Sequence, residues 1–284
     1  MDLVRRLDSR LHYRSLVTFE IIPAHDVPLA AQAVTFTEAF RGYVGGRFAM
    51  DAAALGRFIQ AQGIDLCYSR FARSAPGLCG FGYITRTGDL SRLAGMGVLA
   101  ASRRTGVARG LLRHLLDEAR ARGDRMMVLE VIEQNPPAYA LYEKEGFRAL
   151  ARLCGWRRLP GGATAELSRE HAEISLAAAS QMPSTREFPG LPWQISRHAV
   201  AKLESARAFA SDRALAVISN PTAAGPIRIH AVSSRQALSA VLQRYFDREF
   251  FARPFFPENF GREIFEPLGF TREPLTQWLM RFEF

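Results

Sequence analysis

The chemistry of this chain concentrates in residues 98–112, VLAASRRTGVARGLL. An apolar run ends at Leu99, and a short loop carrying Arg103, Arg104 and Gly106 opens into an amphipathic helix that starts with Val107, Ala108 and Arg109. A loop of this kind leaves several backbone N–H groups unpaired at the positive end of a helix dipole, which suits a phosphate or pyrophosphate. Gly106 and Ala108 are small enough for close approach, and Arg103 and Arg104 can add charge-assisted donors. No Lys-Ser or Lys-Thr follows Gly106, and the G-x-G-x-x-G of dinucleotide folds is absent. Taken alone, the loop is equally a helix start with a convenient glycine and two solvated arginines.

The elements around it narrow the choice. After the helix comes the apolar strand Met126-Met127-Val128-Leu129-Glu130-Val131-Ile132. Asn135-Pro136-Pro137-Ala138-Tyr139-Ala140-Leu141-Tyr142-Glu143-Lys144-Glu145-Gly146-Phe147 follows, and then a strand reaching Trp156. The order is strand, R-x-x-G-x-A loop, helix, strand, and N-x-x-A-x-x-L-Y-E-K-x-G-F. It closely resembles the GNAT superfamily of N-acetyltransferases over roughly residues 17–158. Val98 to Ala108 matches that family's V-x-P-x-x-R-x-x-G-x-G run, with Ala100 at the proline and Ala108 at the last glycine.

The resemblance implies a mixed α/β sheet of GNAT type, acetyl-CoA as co-substrate, no metal, and transfer of the acetyl group to an amine. It implies that Arg103, Arg104, Gly106, Val107, Ala108 and Arg109 hold the pyrophosphate, largely through backbone N–H. The backbones of Met96 and Val98 would bind the pantetheine arm, with the Val98 amide polarising the thioester carbonyl. Asn135 and Ala138 belong to the same cofactor-binding set, and Asn135 also reads as a helix N-cap before Pro136. Tyr142 is the expected general acid toward the departing thiolate, against the alternative of a packed tyrosine beside Tyr139. Glu130 is the candidate base: an apolar strand would raise its pKa, and it could act through water. Equally, it could be a structural carboxylate paired with an arginine. The acceptor wall is expected at Phe36–Phe48, where Glu38 could face a cationic amine.

With 284 residues, 48% hydrophobic and 23% charged, the chain has the length of one large or two ordinary soluble domains. No apolar stretch approaches the ~20 residues of a membrane span, and the first residues lack a secretory core. Cys67, Cys79 and Cys154 are few and sit in apolar settings, which argues for reduced thiols in a cytoplasmic protein. The net charge of +9 comes from arginines spread along the chain, with only Lys144 and Lys202 as lysines. No dense basic block or aromatic interleaving supports nucleic-acid binding.

The spacing predicts a strand at 18–22 and helices at 27–40 and from Asp51 to Ala61. A strand pair is expected at 66–71 and 78–85. Beyond Trp156 it predicts a helical segment at 164–180, an extended linker at 183–192, a helix at 197–208, strands at 214–219 and 227–232, and a helix at 235–246. Phe265-Glu266-Pro267-Leu268-Gly269-Phe270 echoes Tyr142 to Phe147, which reads as a smaller, degenerate second GNAT-like unit. The expected division is 1–160, 161–191 and 192–284. In the second unit only Ser233-Ser234-Arg235-Gln236 joins strand to helix, and Phe265 stands where Tyr142 does, so it is expected to be silent. A tandem chain could replace a dimer interface, which favours a monomer over a homodimer. The alternative to an enzyme is a silent acyl-CoA-binding module that acts through a protein partner.

Overall fold

The computed structural model describes residues 18–161, 171–182 and 192–284, except 220. Its strands are β1 (Glu20–Pro23), β2 (Ile64–Ser74), β3 (Gly77–Thr87), β4 (Leu90–Val98), β5 (Met126–Ile132), β6 (Arg148–Arg158), β7 (Ala172–Ile174), β8 (Ala206–Ser211), β9 (Ala214–Ser219), β10 (Ile227–Val232), β11 (Phe250–Pro257) and β12 (Thr271–Glu283). The helices are α1 (Leu29–Ala39), α2 (Ala52–Gln62), α3 (Val107–Ala121), α4 (Pro136–Lys144), α5 (Leu176–Gln181), α6 (Arg197–Val200), α7 (Arg235–Arg244) and α8 (Glu258–Ile264).

Local sequence accounts for most of these. α2 starts at Asp51, whose side chain accepts the Ala54 N–H at 2.7 Å, and stops at Gly63. α3 buries Val107, Leu111, Leu112, Leu115, Leu116 and Ala119 on one stripe against the sheet. Two expectations are corrected. Within 164–180 the described residues form strand β7 followed by α5, and α5 starts only after Ser175, whose hydroxyl accepts from Ala178 N–H. The helix expected at 197–208 ends at Val200, and Ala206–Ser211 is strand β8 between β7 and β9. Ala- and Ser-rich runs read as helix by propensity, but ladder pairing to neighbouring strands overrides so weak a preference. The expected linker at 183–191 lies outside the described residues.

The strands form one sheet in the order β1-β2-β3-β4-β5-β12-β6-β11-β10-β9-β8-β7. Read from its two ends toward the middle, the order is the same figure twice. β1 to β5 correspond to β7 to β11, and β12 to β6. The pairings agree as well: antiparallel throughout, except that β4 runs parallel to β5 and β10 parallel to β11. Both parallel pairs are joined by a helix, α3 or α7. The echo in sequence is thus a repeat in topology, related by a pseudo-twofold axis between β6 and β12.

The last strand of each half lies beside the other half. β12 pairs with β5 from Gln277↔Ile132 to Glu283↔Met126, and β6 pairs with β11. Trp156 on β6 stacks on Phe265 at 5.5 Å, while Phe282 on β12 meets Phe147 at 5.5 Å. Gly146 (φ 98°) and Gly269 (φ 77°) turn the chain into these two strands through a conformation that side chains disfavour. α3 and α4 cover one face of the first half around Leu112, Leu115, Leu129 and Tyr142. α1 and α2 cover the other around Phe36, Phe71, Phe81 and Tyr83. In the second half Leu238 and Leu242 of α7 pack on Ala216 and Ile218, and the α5–α6 side packs on Leu215 and Val217.

Candidate active site

The site is built where β4 and β5 part. Their parallel pairing runs from Leu90↔Met126 to Leu93↔Leu129 and stops there, while β4 continues to Val98 on β3. A bulge helps the separation: Tyr83 pairs with Gly95 and Ile84 with Leu93, leaving Ala94 extra. Past that point, Leu99 N–H donates to Cys79 O at 2.9 Å. Strand alternation then turns the N–H groups of Val98 and Met96 to the opposite edge, which β5 has vacated. Gly97 has α1 close above it: a Cβ there would lie 2.9 Å from the Ala39 methyl.

The loop after β4 leads to the N-terminus of α3. Gly106 is its N-cap at φ 99°, and Arg104 also has a positive φ of 65°. A Cβ on Gly106 would touch nothing within 4 Å, so glycine is required by conformation rather than by crowding. The first backbone bond of the helix is Gly110 N–H to Gly106 O, at 2.9 Å. No acceptor among the described residues engages the amides of Arg104 to Arg109, which leaves a run of free donors at the helix start. Val107 is buried and fixes this end against Ala72, Cys79, Val98 and Leu111, with Ala108 partly buried beside it.

The arginines are committed elsewhere. Arg103 folds back, donating from Nε to Val98 O at 3.2 Å and from Nη2 to Ala39 O at 3.0 Å, which ties the loop to α1. Arg109 and Arg113 of α3 both donate to Glu145, at 2.5 and 2.6 Å, clamping α3 to the end of α4. Burial pushes the Glu145 carboxyl up, but Arg113 and Arg109 outweigh it and hold it below the usual glutamate range. Arg104 is exposed beside the free amides.

Tyr142 lies on α4, 7% exposed, in the cluster with Leu129, Val131 and Phe147. Burial pushes its phenol well above the ordinary value, and the Tyr43 phenol adds to the rise. Tyr43 itself is raised by burial, with a side-chain hydrogen bond from Asn135 pulling the other way. Tyr43 therefore lies within electrostatic reach of Tyr142 and within hydrogen-bonding reach of Asn135. Asn135 is the N-cap of α4, but its side chain makes no capping bond there. Ala138 follows on the first turn, packed against the same cluster. Tyr43 was visible in sequence only as one aromatic of a glycine-rich segment. Its loop folds over the end of β5, where a Cβ on Gly45 would lie 2.6 Å from Ile132 Cδ1.

Glu130 points to the α1–α2 face, away from Tyr142. Its Oε2 accepts from Arg92 Nη2 (2.7 Å), Arg92 Nε (3.0 Å) and Gln194 Nε2 (2.9 Å); among the described residues its Oε1 receives only Arg92 Nε, at 3.2 Å. Both side chains of the ion pair are 4% exposed. Of the two roles open to Glu130, the arginine-paired one describes its surroundings. Arg92 also reaches Gln62 Oε1 at 3.1 Å and lies over the Trp193 ring. Glu38 is paired with Arg41. Among the described residues there is no His, Cys, Asp or Glu group that could hold a metal ion, and no helix is long and apolar enough to cross a membrane.

The second half keeps the architecture without the seat. β10 and β11 stop pairing after Ile229↔Ala252, but only Ser233 and Ser234 join β10 to α7, and the Ser234 hydroxyl accepts the Ala237 N–H. The 3-10 turn Trp193–Ile195 lies against β10 and β11, with Ile195 in their core. Phe265 is fully buried, packing on Trp156, Phe256 and Phe270.

Comparison with known proteins agrees with this geometry. No curated protein matches the chain by sequence. Several solved structures align over nearly all of it, three of which follow. A protein of Pyrococcus horikoshii named as an acetyltransferase gives a TM-score of 0.64 at 18% identity, covering 99% of this chain and 94% of its own. A GCN5-related N-acetyltransferase from Sphaerobacter thermophilus gives 0.60 at 14% identity, covering 93% and 95%. A tandem GNAT protein from the clavulanic acid biosynthesis pathway gives 0.59 at 15% identity, covering 94% and 98%. At these identities the likeness is one of fold. The splayed strands, the free helix start and the duplicated sheet thus come together in a chain with the fold of a tandem GNAT protein, and its residues 60–147 match the model of the Acetyltransferase (GNAT) family.

Proposed function

We propose that the chain is an N-acetyltransferase that moves the acetyl group of acetyl-CoA to a primary amine by direct attack, using a single site in its first half. The observation that carries this reading is the convergence, at the opening between β4 and β5, of the free amides of residues 104–109, the outward amides of Met96 and Val98, and the Tyr142 hydroxyl. These groups fit a pyrophosphate, an extended amide-bearing arm and a thiol, in that order along the opening. Acetyl-CoA supplies the activated acetyl group and a thiolate leaving group.

The residues divide the work as follows. The α3 amides, with exposed Arg104 beside them, neutralise the pyrophosphate. Met96 and Val98 hold the arm as an added strand, and Val98 N–H stabilises the oxyanion formed when the amine nitrogen attacks the carbonyl carbon. As the C–S bond breaks, Tyr142 gives its proton to sulfur, and the proton shed by the new amide nitrogen restores the phenol through solvent. A phenol raised by burial stays protonated until that moment. Asn135 orients Tyr43 beside Tyr142. Glu130 takes part as a base only through Oε1 and an intervening water, since Oε2 is occupied.

That engagement of Glu130 is also what favours the second reading, a silent acyl-CoA-binding module acting through a partner. Calorimetric titration with acetyl-CoA, followed by thiol-release assays over a panel of amines, separates the two. One site, lost in Gly106→Glu, with release for some amine supports the transferase. One site with no release for any amine leaves the silent module. No binding overturns both, and two sites would give the second half a function of its own kind.

A further inference from the structure

The pseudo-twofold axis equates residues as well as strands. The last parallel pair of β4 and β5 is Leu93↔Leu129, and that of β10 and β11 is Ile229↔Ala252. Arg92 therefore corresponds to Arg228 and Glu130 to Arg253. The bulged Ala94 corresponds to His230, the extra residue where β10 shifts register between Ile229 and Ala231. In the first half the arginine faces a carboxylate. In the second half that carboxylate has become another arginine, and an imidazole stands at the bulge.

The consequence is a pair of arginines that meets no carboxylate among the described residues. Arg228 pairs with Phe251, so Arg253 lies two residues along the neighbouring strand, a Cα separation of about 7–8 Å. Burial pushes the Arg253 guanidinium down, and Arg228 lowers it further. Burial, then Arg228 and Arg253, bring His230 down to about 4, so its ring is neutral near pH 7. No carboxylate acts on either group, and the two guanidiniums make no hydrogen bond among the described residues. Both arginines are nevertheless open to solvent. Two guanidinium forks on neighbouring strands, with no partner among the described residues, are arranged for an oxyanion.

We propose that Arg228, His230 and Arg253 form an oxyanion-binding site in the second half, where the carboxylate or phosphate of a small ligand takes the place that Glu130 fills in the first half. The two guanidinium forks bind the oxygens in charge-assisted pairs, and the neutral imidazole contributes one N–H. The site is separate from the acetyl-transfer opening and does not depend on it.

The test uses the full chain in inorganic phosphate and in malonate, against chloride at equal ionic strength, reading thermal melts and calorimetric stoichiometry. Binding of one anion per chain in the second half raises Tm by roughly 5 °C or more at a hundredfold excess over Kd. The response is lost in Arg228→Gln and Arg253→Gln and kept in Gly106→Glu, which separates it from phosphate held at α3. Arg253→Glu rebuilds the ion pair of the first half. It raises Tm without added anion and abolishes the response, so the proposal stays testable even if a glutamine variant misfolds. A response to phosphate alone marks a phosphate ligand, and one to malonate alone a carboxylate. No response to either anion, or equal responses in the native chain and Arg253→Glu, overturns the site.

Discussion

Tyr142 and Glu130 sit twelve positions apart in sequence and on opposite faces of the sheet, and the contrast sets what each can do. A buried phenol with no hydrogen bond among the described residues is a proton donor in waiting, so Tyr142→Phe is expected to lower kcat by about 10²–10⁴-fold with unchanged acetyl-CoA affinity by calorimetry. Unchanged turnover would remove it from the chemistry. Glu130 is bound by a guanidinium and an amide, so its removal acts first on structure. Glu130→Ala leaves Arg92 buried without its carboxylate and is expected to destabilise the fold by about 3 kcal/mol in urea unfolding. If Glu130→Gln also flattens the acidic limb of the pH–rate profile, the carboxylate serves as base as well. Residue types and spacing pointed to both side chains. They could not show that Arg92, on a different strand, and Gln194, from beyond the first half, close around Glu130, because both contacts are made only by the folded sheet.

At the level of elements, the start of α3 is expected to govern binding and its far side stability. Gly106→Ala forces a Cβ into φ 99°, at about 1–2 kcal/mol, and turns the free amides out of line. Weaker acetyl-CoA binding with little change elsewhere is the expected result by calorimetry. The α3–α4 clamp has a pH signature. The Glu145 pKa is lowered in the fold, so its contribution is present above the ordinary glutamate value and is lost as pH falls through the lowered one. Tm is expected to drop below about pH 4, with a smaller acid step in Glu145→Gln. Asp51, Gly63, the α3 stripe and the β5 run announced their elements, because caps and periodicity are local. β7 and β8 did not: their alanines and serines acquire strand geometry from pairing with one another and with β9. The glycine-capped start of α3 was legible, but the partners of its arginines were not. Arg103 and Arg109 look available in a linear reading, and only tertiary contacts commit them to Ala39 O and Glu145.

For the molecule as a whole, the exchange of β6 and β12 makes each half incomplete without the other. A chain ended at residue 270 loses β12 from between β5 and β6. It is expected to lose the cooperative melt of the first half and the protection of β5 amides from hydrogen exchange, whereas a normal first-half melt would show that the halves stand alone. The sequence echo foretold the repeat, but six-residue similarity carries no information about which strands a tail will join. The same exchange constrains the order of events during synthesis. β5 emerges well over a hundred residues before the strand that covers its edge, a wait on the order of 10 s at ~5–20 residues per second. Through that interval an apolar edge stands open to any strand of matching pattern. The best match at hand in a polysome is β12 of a neighbouring nascent chain, so crowded translation is expected to yield intertwined dimers in place of monomers.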